Sequence, residues 1–156
     1  MDQIRHILLS TDGSEGSLAA AELAGHLGRD CNARISVLVV HSEAALLLPG
    51  VTDANLPGSV PFGVFPRDEA RQHIETATVE QIFPDTKNAI GVVPGGIETH
   101  QLWGHTTETI CDYASNNDVD LIVVGKRGRA SFKSLLIGST AAQIVAHAPC
   151  AVAVAP

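Results

Sequence analysis

Aromatic residues, cysteines and positive charges are all scarce in this sequence. Phe, Trp and Tyr together make up 4% of its 156 residues, too few for the stacking surfaces that bind single-stranded nucleic acid. Cys31, Cys111 and Cys150 lie far apart without a Cys-x-x-Cys pair, which disfavours a disulfide framework or a zinc site and indicates a reduced, cytoplasmic protein. The formal charge of −7 argues against duplex DNA or an anionic membrane as the main partner.

Long hydrophobic runs are also missing. No apolar run approaches the roughly 18 residues that a membrane-spanning helix requires, and the short apolar stretch near the N-terminus is predicted to be a strand rather than part of a signal peptide. Apolar residues nevertheless make up 45% of the chain and charged residues only 17%. The sequence therefore predicts one globular domain, residues 1–156, with a sizeable buried core.

Runs of β-branched residues alternate with alanine-rich helical segments along most of the chain. We predict strands at 4–10, 35–41, 97–103, 120–124 and 151–155, and helices at 15–29, 67–83, 106–116 and 138–148. Residues 90–93 are an alternative third strand, but 97–103 is favoured because a helix follows directly. Residues 43–66 contain four prolines and three glycines and are predicted to form a long loop that serves as a flap or contact surface. The alternation predicts an α/β fold, an open five-stranded parallel sheet with helices on both faces.

A basic, glycine-containing loop follows the fourth predicted strand. Four of the ten Lys and Arg residues fall in it, namely Lys126, Arg127, Arg129 and Lys133. Gly125 and Gly128 allow the backbone to approach a ligand closely, and Gly138-Ser139-Thr140 opens a helix whose N–H groups form an anion site. The loop therefore predicts a polyphosphate site, with a solvated basic loop and an ordinary helix cap as the alternative.

Other candidate site residues follow the first and second strands. Ligands of an open parallel sheet bind beyond the carboxyl ends of its strands, where Ser10-Thr11-Asp12 and Val40-His41 are expected to lie. Asp12 is either a ligand contact or a residue that stabilises a turn. Of the seven histidines, only His41 is expected to neighbour the site. The sequence has neither a Walker loop nor a Gly-x-Gly-x-x-Gly motif after the first strand, which disfavours a dinucleotide fold of the usual kind.

The spacing Gly125-x-x-Gly128, then nine residues, then Gly138-Ser139 resembles the Gly-2x-Gly-9x-Gly-Ser/Thr signature of the universal stress protein family, in its ATP-binding branch. Segments 12–17, 39–41, 120–125 and 149–154 are similar to other family motifs. The resemblance covers nearly the whole chain, and residues 43–66 are the part least like the family. It implies a Rossmann-like fold of the adenine-nucleotide alpha-hydrolase type.

The resemblance also implies a ligand, ATP, with Mg²⁺ or Mn²⁺ on its phosphates. Asp12 and the backbone at Val40 would hold adenine and ribose, and the start of the last helix would bind the β- and γ-phosphates. The complete predicted cofactor-binding set is Ser10, Thr11, Asp12, Val40, Val124, Gly125, Lys126, Arg127, Gly128, Arg129, Gly138, Ser139 and Thr140. One departure is Gly104-His105-Thr106, where many relatives have Gly-x-Pro; we expect it to affect stability more than binding.

The expected function is that of a nucleotide-dependent regulatory module in the stress response, acting as a homodimer through its C-terminal strand and with an unidentified protein partner. No nucleophile elbow, triad or carboxylate suited to activating water is evident in the sequence. A slow ATPase, or another nucleotide-hydrolysing enzyme, is the alternative function. A nucleotide-free dimerisation or interaction module is a second alternative.

Overall fold

Five parallel strands form one sheet, as the sequence predicts, and their order in the sheet is β3-β2-β1-β4-β5. The computed structural model describes residues 3–46, 67–128 and 137–156. Most of the predicted 43–66 loop therefore lies outside the described residues, although Glu43–Leu46 forms a 3-10 turn. The strands are β1 (His6–Ser10), β2 (Arg34–His41), β3 (Ile97–Trp103), β4 (Leu121–Gly125) and β5 (Ala151–Ala155). The predicted third strand at 97–103 is thus confirmed.

Helices cover both faces of the sheet. They are α1 (Glu15–Cys31), α2 (Arg67–Ala77), α3 (Phe83–Ile90), α4 (Thr106–Asn116) and α5 (Ser139–His147). Successive side chains of a strand point to opposite faces, so Leu9 packs in the core beneath α1 and α3, whereas Leu8 packs in the core beneath α4 and α5. The central strands are buried on both faces, which explains their nearly continuous apolar sequences. Within the described ranges, no helix has the length and apolarity to cross a membrane.

The predicted end of the second helix at Pro84 is wrong. The chain stays helical from Arg67 to Ile90, with a π-helical turn at Thr78–Ile82. In that turn the N–H of Phe83 donates to the carbonyl of Thr78, one residue further back than in an α-helix. Pro84 then falls in the first turn of α3, where a residue without an N–H is tolerated. The wide turn therefore lets the helix continue past a proline.

Glycines bring α1 close to its neighbours. A Cβ atom added at Gly25 would lie 2.2 Å from the carbonyl oxygen of Ile90, at the end of α3. One added at Gly28 would lie 2.9 Å from Cδ1 of Ile35 on β2. Ser14 caps α1, as predicted, by accepting from the N–H of Ser17 at 3.3 Å. The first helix is thereby fixed against the sheet along its length.

A buried histidine lies at the amino end of β1, far from the site described below. The ring of His6 contacts Ser36 Oγ at 2.8 Å and the Asn117 carbonyl at 2.9 Å. Burial lowers the pKa of this ring. Beside it, the backbone N–H groups of Arg5 and His6 donate to Asp120, and these bonds lower the pKa of its carboxyl.

Candidate functional site

A cavity of about 210 Å³ lies at the carboxyl ends of β1, β2 and β4. It lies on the face of the sheet that α4 and α5 cover. The strand order reverses there, because β2 and β3 lie on one side of β1, and β4 and β5 lie on the other. This is where open α/β sheets bind ligands. Twelve of the thirteen predicted site residues line the cavity: Ser10, Thr11, Asp12, Val40, Val124, Gly125, Lys126, Arg127, Gly128, Gly138, Ser139 and Thr140. The thirteenth, Arg129, lies outside the described residues.

The inner wall of the cavity is mainly apolar. Val40 and Val124 are the second-to-last residues of β2 and β4, and both pack with the core on the α4–α5 side. Ala141 and Ile144 form the opposite wall from α5. Two walls of small and branched aliphatic side chains suit a flat, apolar ring.

The loop after β1 is held by hydrogen bonds of its own side chains. Thr11 donates to Ser17 Oγ at 3.0 Å and accepts from the Gly13 N–H at 3.2 Å. Asp12 Oδ1 accepts from the N–H of Ser14 at 3.0 Å. The turn role of Asp12 is therefore real, and the same residue also lines the cavity. Its role as a ligand contact stays a prediction.

A pair of glycines joins this loop to the one after β4. A Cβ atom at Gly16 would lie 2.4 Å from the carbonyl oxygen of Arg127, and one at Gly125 would lie 2.5 Å from the carbonyl oxygen of Gly16. At the mouth of the cavity, a Cβ atom at Gly128 would lie 2.7 Å from Asp12 Oδ2. Gly125 and Gly16 are thus required where backbone meets backbone, whereas the neighbour of Gly128 is the end of a side chain that can shift. Gly16 was not identified from the sequence.

Two backbone hydrogen bonds fix the start of α5 at the end of β4. The Lys126 N–H donates to the Ala155 carbonyl at 2.7 Å, and the Gly138 N–H donates to the Lys126 carbonyl at 2.8 Å. Gly138 is the N-cap of α5 and has no side chain with which to cap it. The first N–H groups of a helix have no intrahelical acceptor. Those of α5 therefore open at the cavity, beside Lys126 and Arg127.

The hydroxyl groups around the cavity fall into two sets. Those of Thr11 and Ser17 are bonded inside the protein. Those of Ser10, Ser139 and Thr140 make no hydrogen bond to other described residues, and neither does that of Thr106 at the start of α4. The second set is available to a ligand.

Sequence reasoning missed four residues of the wall: Ser17, Thr106, Ala141 and Ile144. Helical spacing from Gly138 could have indicated Ala141 and Ile144. For Thr106, the sequence predicts an effect on stability more than on binding, whereas the structure places it in the wall.

His41, the one histidine expected beside the site, does not line the cavity. Its side chain faces the other side of the sheet from Val40, and its Nε2 lies 2.8 Å from Gln101 Oε1. The ring also lies 4.9 Å from that of Trp103 between centroids. The alternation of a strand separates the two neighbours.

Groups suited to metal binding or covalent chemistry are sparse in the described part of the chain. It contains no cluster of three or more His, Cys, Asp or Glu residues that could hold a metal ion. Asp12 is the one carboxylate among the described residues that line the cavity. Cys111 is half-buried, and burial raises the pKa of its thiol as it does that of Cys150.

Known proteins share both the sequence pattern and the fold. The sequence model of the universal stress protein family matches residues 3–156. The chain belongs to the universal stress protein family. A relative of this universal stress protein, YxiE of Bacillus subtilis, is 30% identical over 146 residues, which span 94% of this chain and 95% of YxiE.

Solved structures show the same fold at lower identity. The universal stress protein UspA from Lactobacillus plantarum gives a TM-score of 0.76 at 22% identity, with 100% of both chains covered. A universal stress protein in complex with cAMP gives a TM-score of 0.64 at 21% identity, with 99% of both chains covered.

Proposed function

We propose that this universal stress protein binds ATP in the cavity at the carboxyl ends of β1, β2 and β4, and that it acts as a nucleotide-dependent regulatory module. The observation that carries the proposal is the composition of one cavity. An aliphatic inner end continues into a mouth formed by Lys126, Arg127 and the open first turn of α5. A nucleotide has the same division, with a flat base at one end and phosphates at the other.

The phosphates belong at the start of α5. The N–H groups there and the positive end of the helix dipole favour an anion, and the side chains of Lys126 and Arg127 add positive charge. The predicted Mg²⁺ or Mn²⁺ fits this site as an ion carried by phosphate oxygens, with the hydroxyls of Ser139 and Thr140 as its protein neighbours. A bound ion would neutralise phosphate charge.

The base belongs between Val40 and the α5 wall, and the ribose beside Asp12. A carboxylate accepts hydrogen bonds from sugar hydroxyls, and Asp12 lines the cavity mouth. The structure of a family member in complex with cAMP supports an adenine nucleotide as the ligand class. The hydrogen bond from the Gly138 N–H to the Lys126 carbonyl holds the start of α5 beside the end of β4, where the proposal needs it.

Regulation is favoured over hydrolysis by the lack of a second acid. General-base activation of water needs a positioned group within hydrogen-bond reach. Asp12 is the one carboxylate of the described wall, and one of its oxygens is already bonded to the N–H of Ser14. Slow ATP hydrolysis is therefore the alternative outcome of the assay below.

The proposal includes a homodimer formed through β5. This strand lies at one edge of the sheet, and an edge strand offers backbone groups to another chain. The proposal also includes a reduced, cytoplasmic setting, which the three unpaired cysteines support. It includes an unidentified protein partner as well. Sedimentation at micromolar concentration tests the dimer, and a monomer would contradict it.

Thermal unfolding with Mg-ATP, and separately with AMP, tests the binding site. A ligand at a hundredfold its Kd adds about 2.7 kcal/mol, or roughly 5–10 °C in Tm for a chain of this size. Gly138→Val should reduce the shift by placing methyl groups at the start of α5. The backbone there, with φ −68° and ψ 153°, accepts valine, so the variant should fold.

Ala146→Val is the control, because it places the two methyl groups of valine at an exposed position of α5 outside the cavity wall. No ATP shift in protein free of co-purified nucleotide would refute the proposal and favour an interaction module without nucleotide. Turnover at saturating ATP would replace the regulatory module with the ATPase.

A further inference from the structure

Thr106 lines the cavity from an unexpected direction. Strand β3 lies beyond β2, and Trp103 is in register with His41. The chain then turns over the end of β2, where the Gly104 N–H donates to the His41 carbonyl at 2.9 Å. Helix α4 begins at Thr106. Thr106 therefore enters the wall on the side of Val40, whereas the basic loop enters it from β4.

Thr106 brings two hydrogen-bonding groups to this end of the cavity. Its hydroxyl makes no hydrogen bond to other described residues. Its N–H is in the first turn of α4, whose N-cap residue, His105, makes no side-chain capping bond. Apart from Ser10, the described side chains of this inner wall are aliphatic.

The next residue shows how the position is fixed. Thr107 is buried, and its hydroxyl donates to Gln143 Oε1 on α5 at 2.9 Å. This bond ties the first turn of α4 to α5, which forms the opposite wall. Two adjacent threonines thus have different roles, one joining the helices and one facing the space between them and the sheet.

We propose that Thr106 contacts the nucleobase and hydrogen-bonds its polar edge. The inference rests on the proposed nucleotide site. The aliphatic walls can hold any flat ring, and the start of α5 can hold any polyphosphate. A hydrogen bond at the inner end is what would make the affinity depend on the base. Thr106 therefore adds to the binding of the base and adds nothing to that of the phosphates.

Thr106→Val tests this, because it removes the hydroxyl and keeps the shape of the side chain. Titration calorimetry measures the Kd of Mg-ATP, and displacement of Mg-ATP measures that of inorganic tripolyphosphate. We expect the Kd of ATP to rise roughly 3- to 10-fold, as for the loss of one neutral hydrogen bond, and that of tripolyphosphate to stay unchanged. Thr106→Ser, which keeps a hydroxyl, should restore the affinity for ATP.

Thr107→Val is the matched control on the same helix. It removes the bond to Gln143 and should lower Tm while leaving the ratio of the two Kd values at its wild-type level. Equal weakening of both ligands by Thr106→Val, or full retention of ATP affinity, would overturn the inference alone. A wild-type protein that binds neither ligand would overturn the proposed function, and this inference with it.

Discussion

Replacing Gly16 with alanine should both destabilise the protein and weaken ATP binding. Gly16 lies in the first turn of α1, and a Cβ atom there would meet the carbonyl oxygen of Arg127 at 2.4 Å. Real Cβ atoms essentially never approach closer than 3.0 Å. The neighbouring atom belongs to the backbone and cannot rotate away. The loop after β4 must therefore move outward by more than half an ångström.

The expected loss of stability is about 1–2 kcal/mol. Overpacking against a fixed neighbour costs about 1–3 kcal/mol, and the better helix propensity of alanine returns at most about 1 kcal/mol. For a domain of this length, such a loss lowers Tm by roughly 3–7 °C. The shifted loop carries Arg127 and Gly128 at the cavity wall, so we expect the Kd of Mg-ATP to rise by roughly tenfold, the equivalent of about 1.4 kcal/mol.

Gly25→Ala separates the two effects. It lies on the same helix and meets the carbonyl oxygen of Ile90 at 2.2 Å, on the α3 side and outside the cavity wall. It should lower Tm to a similar extent and leave the Kd unchanged when binding is measured well below the transition. If Gly16→Ala unfolds at the wild-type temperature and binds ATP with wild-type affinity, the close contact between the two loops does not constrain the site.

Two further predictions concern parts of the fold outside the cavity. Burial lowers the pKa of His6, so the unfolded chain takes up this proton at a higher pH than the native chain, and the free energy of unfolding should fall as pH drops below 6.5. His6→Gln should reduce the decrease in Tm at acid pH, whereas His73→Gln, at an exposed position, should not. An unchanged dependence of Tm on pH in His6→Gln would contradict the assignment. Trp103 Nε1 donates to Glu75 Oε1 at 2.6 Å. Glu75→Ala should therefore lower the free energy of unfolding by about 1–2 kcal/mol and shift the fluorescence emission of this single tryptophan to longer wavelength. An unshifted spectrum would show that the bond does not hold the ring in place.

Most of the fold could be predicted from the sequence because its signals are local. Strand β2 is a nearly continuous apolar run, and Ser14 directly precedes the helix that it caps. The end of the second helix could not be predicted in the same way. Pro84 normally stops a helix, and the π-helical turn that admits it depends on how Ile82 and Phe83 pack against the sheet. Tertiary packing decided that boundary.

In the candidate site, too, local patterns could be recognised from the sequence and long-range contacts could not. Loops at strand ends are recognisable because glycine, hydroxyl and basic residues cluster in them, and the described members do line one cavity. Gly16 lies in a helix, and its contact partner, Arg127, is more than a hundred positions away in the sequence. No local pattern indicates such a contact. The same holds for Thr106, whose place in the wall depends on α4 starting over the end of β2.

The hydrogen bonds of Thr11 show that the residue type alone does not decide whether a hydroxyl is available to a ligand. A threonine between a strand end and an aspartate suits a ligand contact, and Thr11 does line the cavity. Its hydroxyl, however, already donates its proton to Ser17 and accepts from the Gly13 N–H, so that only one acceptor lone pair is left for a ligand. The Thr106 hydroxyl makes no such bond to other described residues. Thr106 therefore offers a ligand a hydroxyl donor that Thr11 has already used, although the sequence predicts Thr11 and not Thr106 as a site residue.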